Sequence, residues 1–197
     1  MTAARCPTCG RLLDEHQRHL RFRLPQPVLE VPASERADRT WGNDVLMQVR
    51  DVGAFVRVLV PVRLTGGYTI TYAAWLAVHP DDLRRAWEVW WTPAYADLRL
   101  AGILPNKLPA WEAETYGKLL VAAVRDPDAA PYAADSDDAF MRRVLREEWP
   151  HEVILDATAR GGMTWSSAGA GLDGTRPPPR CQWTKHSTAC IVMPAGG

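Results

Sequence analysis

The chain has 197 residues with 23 basic and 23 acidic side chains, a formal charge of zero, and 47% hydrophobic residues. That supports one globular domain with a sizeable core, or at most two small ones. Neutrality removes the long-range field that phosphate backbones or anionic membranes select for, so no nucleic acid is expected as a partner. No apolar run is long enough to span a bilayer, and residues 1–30 lack the apolar stretch of a signal peptide, so no membrane association and a cytoplasmic location are expected.

Chemistry first enters at Cys6-Pro7-Thr8-Cys9-Gly10, two thiols in a tight turn closed by glycine. Four cysteines in a chain this long do not make a disulfide scaffold, and in a reducing compartment Cys6 and Cys9 are thiols or metal ligands. The pair supplies half of a tetrahedral zinc site. The nearest complement is His16 and His19, which would share one face of a helix; the rival partners are Cys181, His186 and Cys190. A simple unmetallated turn is the competing reading. A thioredoxin-like role is disfavoured, since nothing before Cys6 can form the strand that normally precedes a reactive Cys-x-x-Cys.

Pro25, Pro27 and Pro32 fix backbone angles and remove donors, so residues up to about 40 read as extended or looping chain. Val45–Val49, Ala54–Val62 and Tyr68–Val78 then alternate in the manner of strands, separated by Asp51 and Gly53 and by Gly66-Gly67, and predict a three-stranded antiparallel meander. His79-Pro80-Asp81-Asp82 reads as a helix start, with proline in the first turn and carboxylates at the positive end of the dipole. Leu83, Trp87 and Trp90 share one face of that helix, which Pro93 ends. Leu98–Leu108 reads as a short strand running into a loop, and Tyr116–Val124 as a further strand. A second helix is predicted over about 136–148, capped by Ser136 and stopped by Pro150, followed by a short strand at His151–Leu155. Beyond Ala157 glycines and Pro177-Pro178-Pro179 dominate. The expected architecture is a single α+β domain over 1–156, an antiparallel β-meander sheet with one or two helices packed on it, and a flexible, disordered tail over 157–197.

Taken in order, Cys6-x-x-Cys9-Gly10, Glu35-Arg36-x-x-Arg39, Asp44, Phe55-Val56-Arg57, Pro61-Val62, Trp75 and Gly102-x-Leu104-x-x-x-Leu108-Pro109 resemble the bacterial domain-of-unknown-function family 2199 over roughly residues 5–155. The resemblance implies a bacterial protein. It supplies no assigned activity and no catalytic residues to carry over.

Carboxylates are plentiful at Asp81, Asp82, Glu112, Glu114, Asp135, Asp137 and Asp138, and His79 and His151 offer bases, but acid–base catalysis needs groups converging on one substrate, which the spacing does not provide. They read as helix starts and solvated loops. Nine tryptophans beside five Tyr and three Phe suit core packing first and ligand stacking second. Trp91 and Trp111 are the indoles expected at the surface, and with Arg57 they form the candidate ligand-binding set; Glu35, Arg36, Arg39 and Arg57 make either a binding patch or a structural ion-pair network, the structural reading being preferred for isolated charges on strands and loops. The function this supports is a noncatalytic binding module for an unknown protein or small-molecule partner, with zinc on Cys6, Cys9, His16 and His19 as its candidate cofactor. The alternative is a small metal- or thiol-dependent enzyme.

Overall fold

The structure, a computed structural model, describes residues 19–160 together with short strands at 165–166, 181–182 and 191–192. The chain enters through β1 (His19–Arg21), two short helices α1 (Gln26–Leu29) and α2 (Ala33–Arg39), and the hairpin β2 (Thr40–Gly42) and β3 (Leu46–Val49). Two long strands follow, β4 (Gly53–Leu64) and β5 (Tyr68–Val78), then helix α3 (Pro80–Val89), a 3-10 turn (Pro93–Asp97) and β6 (Arg99–Ile103). Beyond lie α4 (Glu112–Thr115), β7 (Leu119–Ala123), β8 (Tyr132–Asp135), α5 (Ala139–Arg146), β9 (Glu148–Trp149), α6 (His151–Arg160) and β10 (Trp165–Ser166).

The β4–β5 hairpin is the spine, in continuous antiparallel register from Ala54↔Val78 to Leu64↔Tyr68. Its turn turns back sharply because Gly66 and Gly67 both adopt positive φ, 85° and 80°, a region closed to most side chains. Strands this long, buried on both faces, expose more edge amides and carbonyls than any one short neighbour can pair. The free edge of β4 is therefore shared among antiparallel β3, parallel β8 and parallel β9, and that of β5 between parallel β1 and antiparallel β6. With β6, β7 and β8 in antiparallel succession, β4 to β8 close into a five-stranded mixed barrel. The expected meander of β3, β4 and β5 forms, but the sheet is not the simple antiparallel one expected. Its parallel pairs come from strands with too few local signals to be placed by sequence.

Closure rests on two single-residue bridges, Ala77↔Ile103 and Leu59↔Tyr132. At the first, Gly102 is required by space: a Cβ there would collide with the Ala77 carbonyl oxygen and with the Leu76 side chain. Val56, Val58, Val60 and Val62 of β4 and Ile70, Tyr72, Ala74 and Leu76 of β5 fill the interior with Leu100, Leu120, Ala122 and Ala133. The odd-numbered face of β4 and β5 carries a second core, in which Phe55 and Trp75 pack with Val28, Met47 and Val49.

Local departures have local causes. Residues 33–39, expected to be extended, form α2, with Pro32 at the cap, Glu35 in the first turn and Arg36 and Arg39 in the last. The helix predicted from Ser136 starts at Ala139, because the Asp138 carboxylate accepts the Met141 amide at 2.9 Å while Ser136 turns back to the Leu119 carbonyl. Lys118 lies 2.8 Å from that carboxylate and, with the Met141 amide, holds its pKa below the usual range. His151–Leu155 is helix rather than strand: His151, Ile154, Leu155 and Thr158 are the buried positions of α6, and their spacing has the helical period. Of the expected tail over 157–197, residues 157–160 complete α6, the two residues of β10 pair with β1, and Cys181–Gln182 pairs with Ile191–Val192; the rest lies outside the described residues. No helix among the described residues is long and apolar enough to cross a membrane.

Replacing Gly102 by alanine puts a methyl group against backbone that cannot rotate away. Overpacking of this kind costs about 1–3 kcal/mol, so Gly102→Ala lowers the urea midpoint by a corresponding amount; an unchanged midpoint would show that the seam does not need the close approach.

Candidate functional site

Arg57 lies on the outer face of β4, 1% exposed, cross-strand from Trp75, with its guanidinium carbon 4.0 Å from the centre of the Trp75 ring. Its acceptors are all backbone carbonyls. Nε donates to Asp44 O at 2.7 Å, and Nη1 to Phe22 O at 2.8 Å and Ala73 O at 2.9 Å. The Asp44 carbonyl is aimed by its neighbours: Asn43 Oδ1 accepts the amides of Val45 and Leu46, both at 2.9 Å, and Gly42 takes φ 122° where a Cβ would strike the Leu46 carbonyl. Asp44 also pairs through its carboxylate with Arg21 of β1 at 2.8 Å. Burial and the nearby Arg21 pull the Arg57 pKa down to about 9, against the opposing pull of Asp44. At neutral pH it stays charged.

The same wall is held a second time by Asn106, which accepts the Trp75 amide at 2.8 Å and donates to Leu24 O at 3.0 Å. Phe22 N donates to Ala73 O and Gln26 N to Pro105 O. Residues 20–26 thus form a strap across the barrel, and the helices that follow start from a fixed point. Arg36 then ties α2 to α1, with Nε on Val31 O and Nη2 on Leu29 O, each at 2.8 Å, and Arg39 pairs with Glu35 at 2.6 Å. Between these helices and the Asp51–Val52 turn opens a groove of about 460 Å³, lined by Pro27, Val31, Pro32 and Val52 and by the charged Glu30, Glu35, Arg39 and Asp51.

The sequence-predicted site residues fall in different places. Arg57 is buried in the frame. Trp111, expected at the surface, is 6% exposed because its ring packs 4.6 Å from Trp149 and 6.5 Å from Phe140. Trp91 is 61% exposed. These three do not share one surface. Cys6, Cys9, His16, His186 and Cys190 lie outside the described residues; His19 is placed only as the first backbone position of β1 and Cys181 only as a backbone position of its strand. Among the described residues no three His, Cys, Asp or Glu converge in a group able to hold a metal ion.

His151 is 2% exposed and lies 2.9 Å from Thr65 Oγ1, anchoring α6 on the β4–β5 turn. His79 accepts the Asp81 amide at the start of α3. Asp81 pairs with Arg84 and Asp135 with Arg146, each at 2.8 Å. Asn106 and the groove carboxylates Glu30 and Asp51 were not predicted. For the groove the signal was present in Pro32 and Glu35, a helix start three residues apart; for Asn106 no local pattern marks it.

A closed mixed barrel carrying a strapped, helix-walled N-terminal segment is the class of protein these elements define. Residues 5–143 match DUF2199, uncharacterized proteins conserved in bacteria, and the chain belongs to that family. No curated protein and no solved structure matches it.

Three hydrogen bonds from a charged donor, each contributing about 1.5–3 kcal/mol, offset a desolvation cost of several kcal/mol for a buried cation. Arg57→Met removes the donors, so the part-buried Phe22 and Asp44 carbonyls lose their partner while Ala73 O keeps the Phe22 amide. Chemical denaturation should show a loss of roughly 3 kcal/mol or more, with the amides of residues 20–26 exchanging faster; unchanged exchange there would mean that the strap is held without Arg57.

Proposed function

We propose that the chain is a noncatalytic binding module of the bacterial cytoplasm that contacts a protein partner through Trp91. The observation that carries this reading is the setting of that indole. Trp87 packs 4.6 Å from Trp41 and Trp90 4.8 Å from Tyr95, and the Thr92 amide and hydroxyl both return to Val89 O. Trp91 therefore projects from backbone that is already ordered. Burying it against a partner gains a large apolar area without the cost of fixing a loop, and tryptophan is among the residue types richest in binding hot spots. In this reading Arg57 and Trp111 act through the frame rather than by touching the partner.

Zinc on Cys6, Cys9, His16 and His19 belongs to the same reading as a stabilising ion. Its support is position: His19 opens β1, which pairs with β5 at Thr71, so an ion bound at His19 would reinforce the strap at its start. Protein purified without a histidine tag should contain close to one zinc per chain. Chelation, or Cys6→Ser with Cys9→Ser, should remove it and lower the melting temperature, whereas a stoichiometry near zero rejects the site.

For Trp91, truncation of a hot-spot residue costs about 2 kcal/mol or more, roughly thirtyfold in affinity. Trp91→Ala should leave the melting temperature unchanged and abolish recovery of a partner that the unaltered chain captures from native lysate. Equal recovery by both proteins would sink this reading.

A further inference from the structure

We infer that the groove between α1–α2 and the Asp51–Val52 turn is a docking site for a lysine or arginine side chain presented by an extended segment of a partner protein. This surface is separate from the Trp91 contact and does not depend on it. Its walls are set by hydrogen bonds within the chain: Arg36 closes α1 against α2, and Arg50 N donates to Arg39 O at 2.9 Å, fixing the turn opposite. The groove is therefore formed before any ligand arrives.

Its lining combines two chemistries. Pro27, Val31, Pro32 and Val52 give it apolar surface, and Glu30, Glu35 and Asp51 share the lining with one guanidinium, Arg39, while the Arg36 guanidinium is turned onto Val31 O and Leu29 O. Arg39 is engaged by Glu35, while Glu30 and Asp51 make no ion pair among the described residues. The groove carries two surplus negative charges on a chain whose formal charge is zero. A bare cation would waste the apolar surface, and an apolar side chain would leave the carboxylates without a partner. A long cationic side chain meets both demands, laying its methylene stem on that surface and its head beside the carboxylates. A second copy of this chain is a poorer match as a two-fold partner, because opposed grooves would bring like charges together.

The test uses two fluorescein-labelled pentapeptides, Gly-Leu-Arg-Leu-Gly and Gly-Leu-Glu-Leu-Gly, titrated by fluorescence anisotropy against the intact protein. The arginine peptide should bind and the glutamate peptide should not, and binding should weaken with salt as expected for exposed charges. Glu30→Gln combined with Asp51→Asn should reduce affinity about fivefold, the scale of exposed ion pairs, with melting temperature unchanged; asparagine tolerates the positive φ of 63° at Asp51. Trp91→Ala should leave the affinity as it is. Three results would each overturn the inference: equal binding of the two peptides, affinity insensitive to the Glu30→Gln, Asp51→Asn pair, or loss on Trp91→Ala instead.

Discussion

Arg57 is held on the outer wall of the barrel by carbonyls from three separate parts of the chain, Phe22, Asp44 and Ala73. A planar fork spreads its donors over separate nitrogens, here Nε and Nη1, whereas a lysine in its place would have to reach all three acceptors from one ammonium nitrogen. Among the described residues the cation bonds to no carboxylate, so its charge is met by peptide carbonyls, the Trp75 ring and the more distant Asp44. Removing any one of those acceptors would leave a desolvated charge poorly served. Strap, β2–β3 turn and barrel wall therefore stand or fall together, and Asn106 reinforces the same joint from the other side of Trp75.

That joint explains why the surface features lie where they do. The first groove wall, α1, begins four residues beyond Phe22, the strap contact to Arg57, so its placement is inherited from a buried group rather than from the exposed Glu35–Arg39 pair, which contributes little in high dielectric. Trp91 is set independently, by α3 packing through Trp87 and Trp90.

Much of the barrel could be read from alternation. Val45–Val49, Ala54–Val62 and Tyr68–Val78 became β3, β4 and β5, and the Gly66-Gly67 turn and the proline-led start of α3 fell as expected. Closure could not be read, because it depends on short strands meeting long ones over large sequence separations, and the four residues of β8, Tyr132–Asp135, carry no period-two alternation. Arg57 looked like a surface ligand contact because a charged residue between Val56 and Val58 has the pattern of an exposed strand position; only the strap covering that face reverses the reading. Trp111 misled for the converse reason. Nothing local shows that Trp149, far along the chain, comes back to meet it.

The two seams that close the barrel differ in kind from its spine. The β4–β5 ladder forms across a three-residue turn and satisfies its backbone along its whole length, so it is local in sequence and cooperative. Each seam adds one residue bridge and can form only after distant segments have been brought together, the slow part of assembling a β topology. Native-state breathing will follow the same division: the seams are where the barrel wall can part and reseal, while the hairpin amides stay protected until the whole domain unfolds.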